Sequence, residues 1–198
     1  MRKAGRPPKT EENRECKEAI IKATVELISA LGADAVTVRK ICQKAEVSAG
    51  TFYHYFTDKN DLMMEFLREE SFDHFPLKTP EEKVGERQTE LYLILVHKYM
   101  ELGRNFMKSF YTTGNVALSA YLDEEEGHFQ EGTIMARSES ELIEAVEKGY
   151  LPKDTDAHTM AMDICTIVKG TVFEWCLTTH RMNIETTLLR LITRYLSA

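Results

Sequence analysis

No apolar run in the 198-residue chain is longer than six residues, and that run is LYLILV, Leu91 to Val96. A bilayer-spanning helix needs about 20 apolar residues, so none is predicted. The basic N-terminus is followed by no apolar stretch of the kind a secretory signal requires. A cytoplasmic protein is the expectation. Cysteine is scarce: Cys16, Cys42, Cys165 and Cys176 lie far apart, and no two make a C-x-x-C pair. That argues against a zinc ribbon or a redox motif and favours buried small hydrophobes in a reducing compartment. No glycines are spaced as G-x-G or as a phosphate loop, and neither G-x-S-x-G nor H-E-x-x-H occurs. The familiar catalytic and nucleotide-binding signatures are therefore missing. No enzyme activity, cofactor or metal is predicted. The run Asp123-Glu124-Glu125-Glu126, with His128 after it, invites a metal reading. Consecutive carboxylates on a helix point in different directions, so a solvated acidic helix start is expected instead. Nor does any segment show strand alternation bounded by hairpin turns, which leaves an all-α chain.

What is present is unevenly distributed. The formal net charge is −7. Residues 1–60 hold 11 Lys/Arg against 8 Asp/Glu, a balance of +3, and residues 61–198 hold 14 against 24, a balance of −10. A polyanion meets local charge, not the average, so the acidic body does not exclude nucleic acid.

Helical signals recur along the chain. Gly5, Pro7 and Pro8 make residues 1–9 a flexible basic arm. Thr10 is a candidate cap, and Ile20, Ala23, Leu27, Ile28 and Leu31 form a stripe ended by Gly32. Thr37 can cap a second helix from Val38 to about Ala45, and Ser48 a third from Ala49 to about Tyr55. Asp58 can open a fourth. Thr79-Pro80-Glu81-Glu82 has a capping box and proline at the first helical position, so a long helix is predicted to run on to about Leu102. A short helix over RNFMKSFY, one ending near Lys148, and two closing helices at about 156–179 and 184–196 bring the count to about nine. Residues 115–135 resist assignment.

Helix, tight turn and capped helix behind a basic arm is the layout of a DNA-reading helix-turn-helix. Val38, Ile41, Cys42, Ala45 and Val47 can form its inner face. Small Ala49 and Gly50 let the second helix approach a groove. Thr51, Tyr53 and His54 can point outward while Phe52, Tyr55 and Phe56 pack inward. The stretch TVRKICQKAEVSAGTFYHYFTDKNDLM resembles the DNA-binding signature of the tetracycline-repressor (TetR) family of bacterial transcription regulators, over roughly residues 14–63. The departure is Glu46, where the family usually has glycine. The resemblance implies phosphate contacts from Thr37, Thr51, Tyr55 and Lys59. Ser48, Ala49, Gly50, Tyr53 and His54 would lie in or along the major groove, and Arg39 would reach a phosphate or base edge. AGRPPK resembles a minor-groove arm, with Arg6 its best candidate.

The resemblance further implies the division 1–9 arm, 10–57 helix-turn-helix domain and 58–198 effector-binding and dimerisation domain. The expected protein is a homodimeric repressor on a palindromic DNA operator, released by a small, apolar or aromatic effector. A second reading is a helical module acting mainly through protein partners with weak DNA binding. Candidate effector residues are Phe66, Tyr92, His97, Tyr99, Phe106, Phe110, Tyr121, Phe129 and Phe173. Ile164, Val168, Trp175, Leu188, Leu191 and Tyr195 are the candidate dimer residues on the last two helices.

Overall fold

The computed structural model describes residues 9–32, 35–68, 72, 75–112, 115–178 and 182–197, and among these all regular structure is helical. Among the described residues there are ten helices, against about nine expected. The chain divides into two compact units, Met1–Phe66 and Leu67–Ala198.

The first unit holds α1 (Lys9–Leu31), α2 (Val38–Ala45), α3 (Ala49–Tyr55) and most of α4 (Lys59–Arg68). The helix α1 already includes Thr10, so that residue does not cap it. Gly32 ends α1 at φ 75°, its N–H donating to the Ile28 carbonyl at 2.9 Å. A left-handed residue of this kind satisfies the last carbonyls of a helix. Ile20, Ile28, Ile41, Phe52, Phe56 and Leu62 form the core of the unit. Thr24 is buried among them without penalty, because its hydroxyl donates to the Ile20 carbonyl at 2.8 Å. At the start of α4, the Asp58 carboxylate accepts from Asp61 N–H at 2.8 Å, and Asp61 in turn accepts from Thr57 N–H at 2.9 Å.

The second unit holds α5 (Val84–Leu102), α6 (Arg104–Phe110), α7 (Val116–Leu122), α8 (Ile134–Glu147), α9 (Ala157–Leu177) and α10 (Ile184–Leu196). Helix α5 packs on α10 and α8, and α9 on α8, α10 and α6. The approach of α5 to α10 depends on Gly85. A Cβ there would stand 2.9 Å from Thr193 Cγ2 and 3.0 Å from Thr193 Cα. Between α5 and α8, Arg87 and Arg137 both bind the buried Glu141 carboxylate. Beside them Ser138 Oγ donates to Gln88 Oε1 at 2.7 Å.

Three expectations are corrected here. The extra helix is α7, in the segment that resisted assignment; Asn115 caps it, its Oδ1 accepting from Leu118 N–H at 3.1 Å. Residues 79–82 form a turn and not a first helical turn. The Glu90 carboxylate takes the N–H groups of Lys78 and Thr79, and Arg87 donates to the Thr79 carbonyl at 2.7 Å, so α5 begins at Val84. Residues 123–126 do not start a helix. Glu125 and His128 exchange backbone hydrogen bonds of 3.0 and 3.1 Å around Glu126 (φ 55°) and Gly127 (φ 80°). That is the two-residue turn that positive φ at both central positions allows.

Candidate nucleic-acid interface

The surface that could meet DNA is built by α2, its turn and α3. Thr37 is extended (φ −121°, ψ 154°) and its hydroxyl accepts from Lys40 N–H at 3.3 Å, which caps α2. The helix stops at Glu46, which takes the left-handed conformation, φ 57° and ψ 35°. Its N–H and that of Val47 both return to the Cys42 carbonyl. The chain reverses within two residues and Ser48 restarts it. The Ser48 hydroxyl accepts from Thr51 N–H at 2.9 Å and lies 2.8 Å from the Thr51 hydroxyl.

This geometry sorts the side chains of α3. Phe52 is fully buried and lies edge-on to Tyr53, ring centroids 5.4 Å apart, while Phe56 is buried beside it at 5.6 Å. Ala49, Gly50, Tyr53 and His54 lie on the opposite, exposed face, and Tyr53 retains 59 % of its surface. A Cβ on Gly50 would meet nothing closer than Ser48 Oγ, at an ordinary 3.6 Å. Among the described residues nothing therefore demands glycine there. Thr37 and Arg39 are exposed, and Thr51 and Lys59 are half-buried. Tyr55 is half-buried too, and its hydroxyl donates to Asn13 Oδ1 at 3.2 Å. The role of Asn13 had no signature in the sequence, since the pair is joined across 42 residues. Arg6 lies outside the described residues.

Local charge is partly spent internally. Lys44 binds Glu26 at 2.8 Å and Lys17 binds Glu65. The Lys44 hydrogen bond and charge hold the Glu26 carboxyl below its usual range. Lys40 instead donates to the Ala35 carbonyl at 2.7 Å, so its charge is not cancelled by that bond.

In the second unit the candidate effector residues separate. Tyr92, Tyr99 and Phe110 are buried, and Tyr121 is half-buried near the two tyrosines. Phe129 is buried, but its ring stacks on His158 at 4.4 Å. His97 does not join the cluster: it is exposed and bound to Glu185 at 2.9 Å on the rim of a groove of about 670 Å³ between α5 and α10. Phe173 does not join it either and is 52 % exposed on α9. The side chains of Phe66 and Phe106 lie outside the described residues. Of the candidate dimer residues, Ile164, Val168, Trp175 and Leu188 are core residues of their own unit, with the Arg104 guanidinium lying over the Trp175 ring at 4.9 Å. Buried in this way, these four side chains leave little surface for a partner. Tyr195 is half-buried and binds Asp163 at 2.6 Å, joining α10 to α9. Burial, then that carboxylate, pushes its phenol up to about 12. Leu191 is half-buried in a shallow groove with Ile167, Gly170 and Glu174.

A capped helix presenting small and polar residues outward, seated by a left-handed turn on a capped partner helix, has the geometry of a helix-turn-helix. Residues 20–66 match the model of the bacterial regulatory proteins of the tetR family. The chain is 36 % identical over 70 residues to the HTH-type transcriptional repressor KstR of Mycolicibacterium smegmatis. That match spans 35 % of this chain and 34 % of the relative, about a third of its length. Over nearly the whole chain the fold is that of two solved structures. The fatty acid degradation regulator FadR of Bacillus halodurans has TM-score 0.61 and 20 % identity, covering 98 % of this chain and 96 % of that one. RolR in complex with the ligand resorcinol has TM-score 0.60 and 16 % identity, covering 95 % and 90 %.

Proposed function

We propose that the protein is a homodimeric repressor. It inserts α3 of each protomer into successive major grooves of a near-palindromic operator, and a small-molecule effector releases it. The observation that carries this reading is the outward face of α3. Ala49, Gly50, Tyr53 and His54 are exposed together, and among the described residues nothing demands glycine at Gly50. Thr37, Thr51, Tyr55 and Lys59 flank that face as phosphate contacts, Arg39 serves a phosphate or base edge, and Arg6 belongs to a minor-groove arm. The first unit is then the DNA-binding domain and the second the effector and dimer domain.

Dimerisation through α9 and α10 supplies the second recognition helix. The pairing surface is the exposed stripe Met162, Thr166, Gly170, Phe173 and Leu177, which recurs every three or four residues and so lies along one side of α9. Gly170 leaves open space where a Cβ would stand, which lets two α9 helices approach closely. The small-molecule effector is supported by the resorcinol complex of the similar RolR fold and by the buried aromatic cluster around Tyr92 and Tyr99.

The test is retardation of the protein's own upstream DNA in competition with random duplex. The expected result is a preference for the upstream fragment that Tyr53→Ala abolishes. Equal retardation of both duplexes, or no effect of Tyr53→Ala, refutes the proposal and favours a module working through protein partners.

A further inference from the structure

Tyr92 stands out in the second unit. It is almost wholly buried, and among the described residues its hydroxyl oxygen has no hydrogen-bond partner. Buried phenols usually find one. Its polar neighbours are Ser138 and Cys165. The Ser138 hydroxyl donates to Gln88 Oε1 at 2.7 Å, and Gln88 Nε2 donates to the Ser138 carbonyl at 3.0 Å, so neither group offers its proton to the phenol. Ser138 Oγ and the weak sulfur acceptor of Cys165 stand near enough to act on the phenol, but neither meets it in full hydrogen-bond geometry.

Tyr99 follows seven residues later on α5, two turns along the same face. Its hydroxyl and that of Tyr111 are partners, and Phe110 packs on both rings, with centroids 6.0 and 5.6 Å away. Tyr121 and Cys165 are electrostatic neighbours of both Tyr92 and Tyr99. Phenols and a thiol thus line one region between α5, α6, α7 and α9, with Phe110 and Met107 supplying apolar surface. Burial holds the Tyr92, Tyr99 and Tyr111 phenols well above their ordinary pKa, so all three stay neutral donors. None of these side chains carries a charge, and only Lys169, which acts on Cys165, stands near as a cation, so an ionised guest would be poorly compensated among them.

We propose that the Tyr92 hydroxyl is the anchoring donor for the effector, and that the effector is an uncharged, ring-sized apolar molecule carrying a hydrogen-bond acceptor such as a carbonyl. This rests on the reading of the chain as a ligand-responsive regulator and names the chemistry of its ligand. Tyr92 and Tyr99 are covered, so a guest would have to displace the surrounding side chains.

The experiment is calorimetric titration of the full-length protein with three matched probes: 2-acetylnaphthalene, 2-ethylnaphthalene and 2-naphthoate. The wild type is expected to prefer the ketone to the hydrocarbon by about tenfold, the effect of one well-made hydrogen bond in a dry site, and to bind the carboxylate more weakly than the ketone. In Tyr92→Phe the preference for the ketone should vanish while the hydrocarbon binds as before. The thermal midpoint of that variant should not fall, because the lost hydroxyl had no partner. Failure of the ketone to bind, a preference that survives Tyr92→Phe, or tightest binding of the carboxylate each overturns the proposal. Retardation of upstream DNA separates the two readings. Tyr92-dependent ketone binding that leaves the DNA complex intact supports the site and refutes ligand-controlled release. A compound that releases DNA equally from wild type and Tyr92→Phe supports ligand control and refutes the role of Tyr92.

Discussion

Replacing Glu46 by glycine should strengthen the helix-turn-helix, and by an amount that can be worked out. Glu46 sits at φ 57° and ψ 35°. An L-residue there brings Cβ against the following carbonyl, at a cost of about 1–2 kcal/mol. Glycine escapes that clash but loses about 0.5–1 kcal/mol more chain entropy on folding. The Glu46 side chain is exposed, so little packing is forfeited. The net gain is about 0.5–1 kcal/mol, a factor of about 2–5 in the local opening equilibrium. The assay is native-state hydrogen exchange in the full-length chain. It follows the amides of Ile41 and Phe52, which donate to Thr37 and Ser48 across the two caps. Glu46→Ala is the control, since it removes the charge and keeps the strain. Exchange should slow two- to fivefold in Glu46→Gly and stay near wild type in Glu46→Ala. Both variants should bind DNA more tightly, by roughly 0.5 kcal/mol per protomer, as for one exposed charge interaction, and less so at high salt. Equal exchange in the two variants would show that the turn stores no strain.

Gly85→Ala tests the α5–α10 approach: alanine normally favours a helix, yet its Cβ would strike Thr193 backbone, so the variant should lose about 1–3 kcal/mol in urea denaturation; a gain would contradict the packing described. His158 lies 3.0 Å from Glu139 and 3.4 Å from Glu124. Burial pulls its pKa down, but the two carboxylates outweigh that and leave it raised. A raised folded value means that His158 contributes full stability below its unfolded pKa, near 6.5, and loses it as pH climbs through the folded value. Thermal midpoints should therefore decline from about pH 6.5 upward, and His158→Gln should flatten that decline. Phe173→Glu with Leu177→Glu should yield a folded monomer by sedimentation, because both side chains are more than half exposed. Leu188→Ala should instead cost about 2–5 kcal/mol of protomer stability.

Local chemistry made much of the molecule legible. The bounds of α10 and the Thr37 and Ser48 caps follow from signals within a few residues, and so does the arrest of α2 at Glu46. Long-range contacts hid the rest. Residues 79–82 carry good capping chemistry, but Glu90 and Arg87 reach back from α5 and hold them as a turn. Seven-residue α7 is too short to show a period. Periodicity reveals that α9 is apolar on several sides, but only its packing on α8, α10 and α6 decides which side stays exposed. The same limit applies to Tyr92. Its aromatic character is plain in the sequence, while its unpaired hydroxyl is set by how side chains from other helices surround it.

The central claim is that two copies of α3 meet the DNA backbone together. Its most direct measurement is the salt dependence of operator affinity for wild type and Lys59→Ala. Each neutralised phosphate contributes about −0.9 to the slope of log K against log salt. A dimer should lose two such contacts, making the slope shallower by about 2, with affinity reduced on every sequence alike. A slope unchanged by Lys59→Ala, or affinity insensitive to salt, would contradict the account.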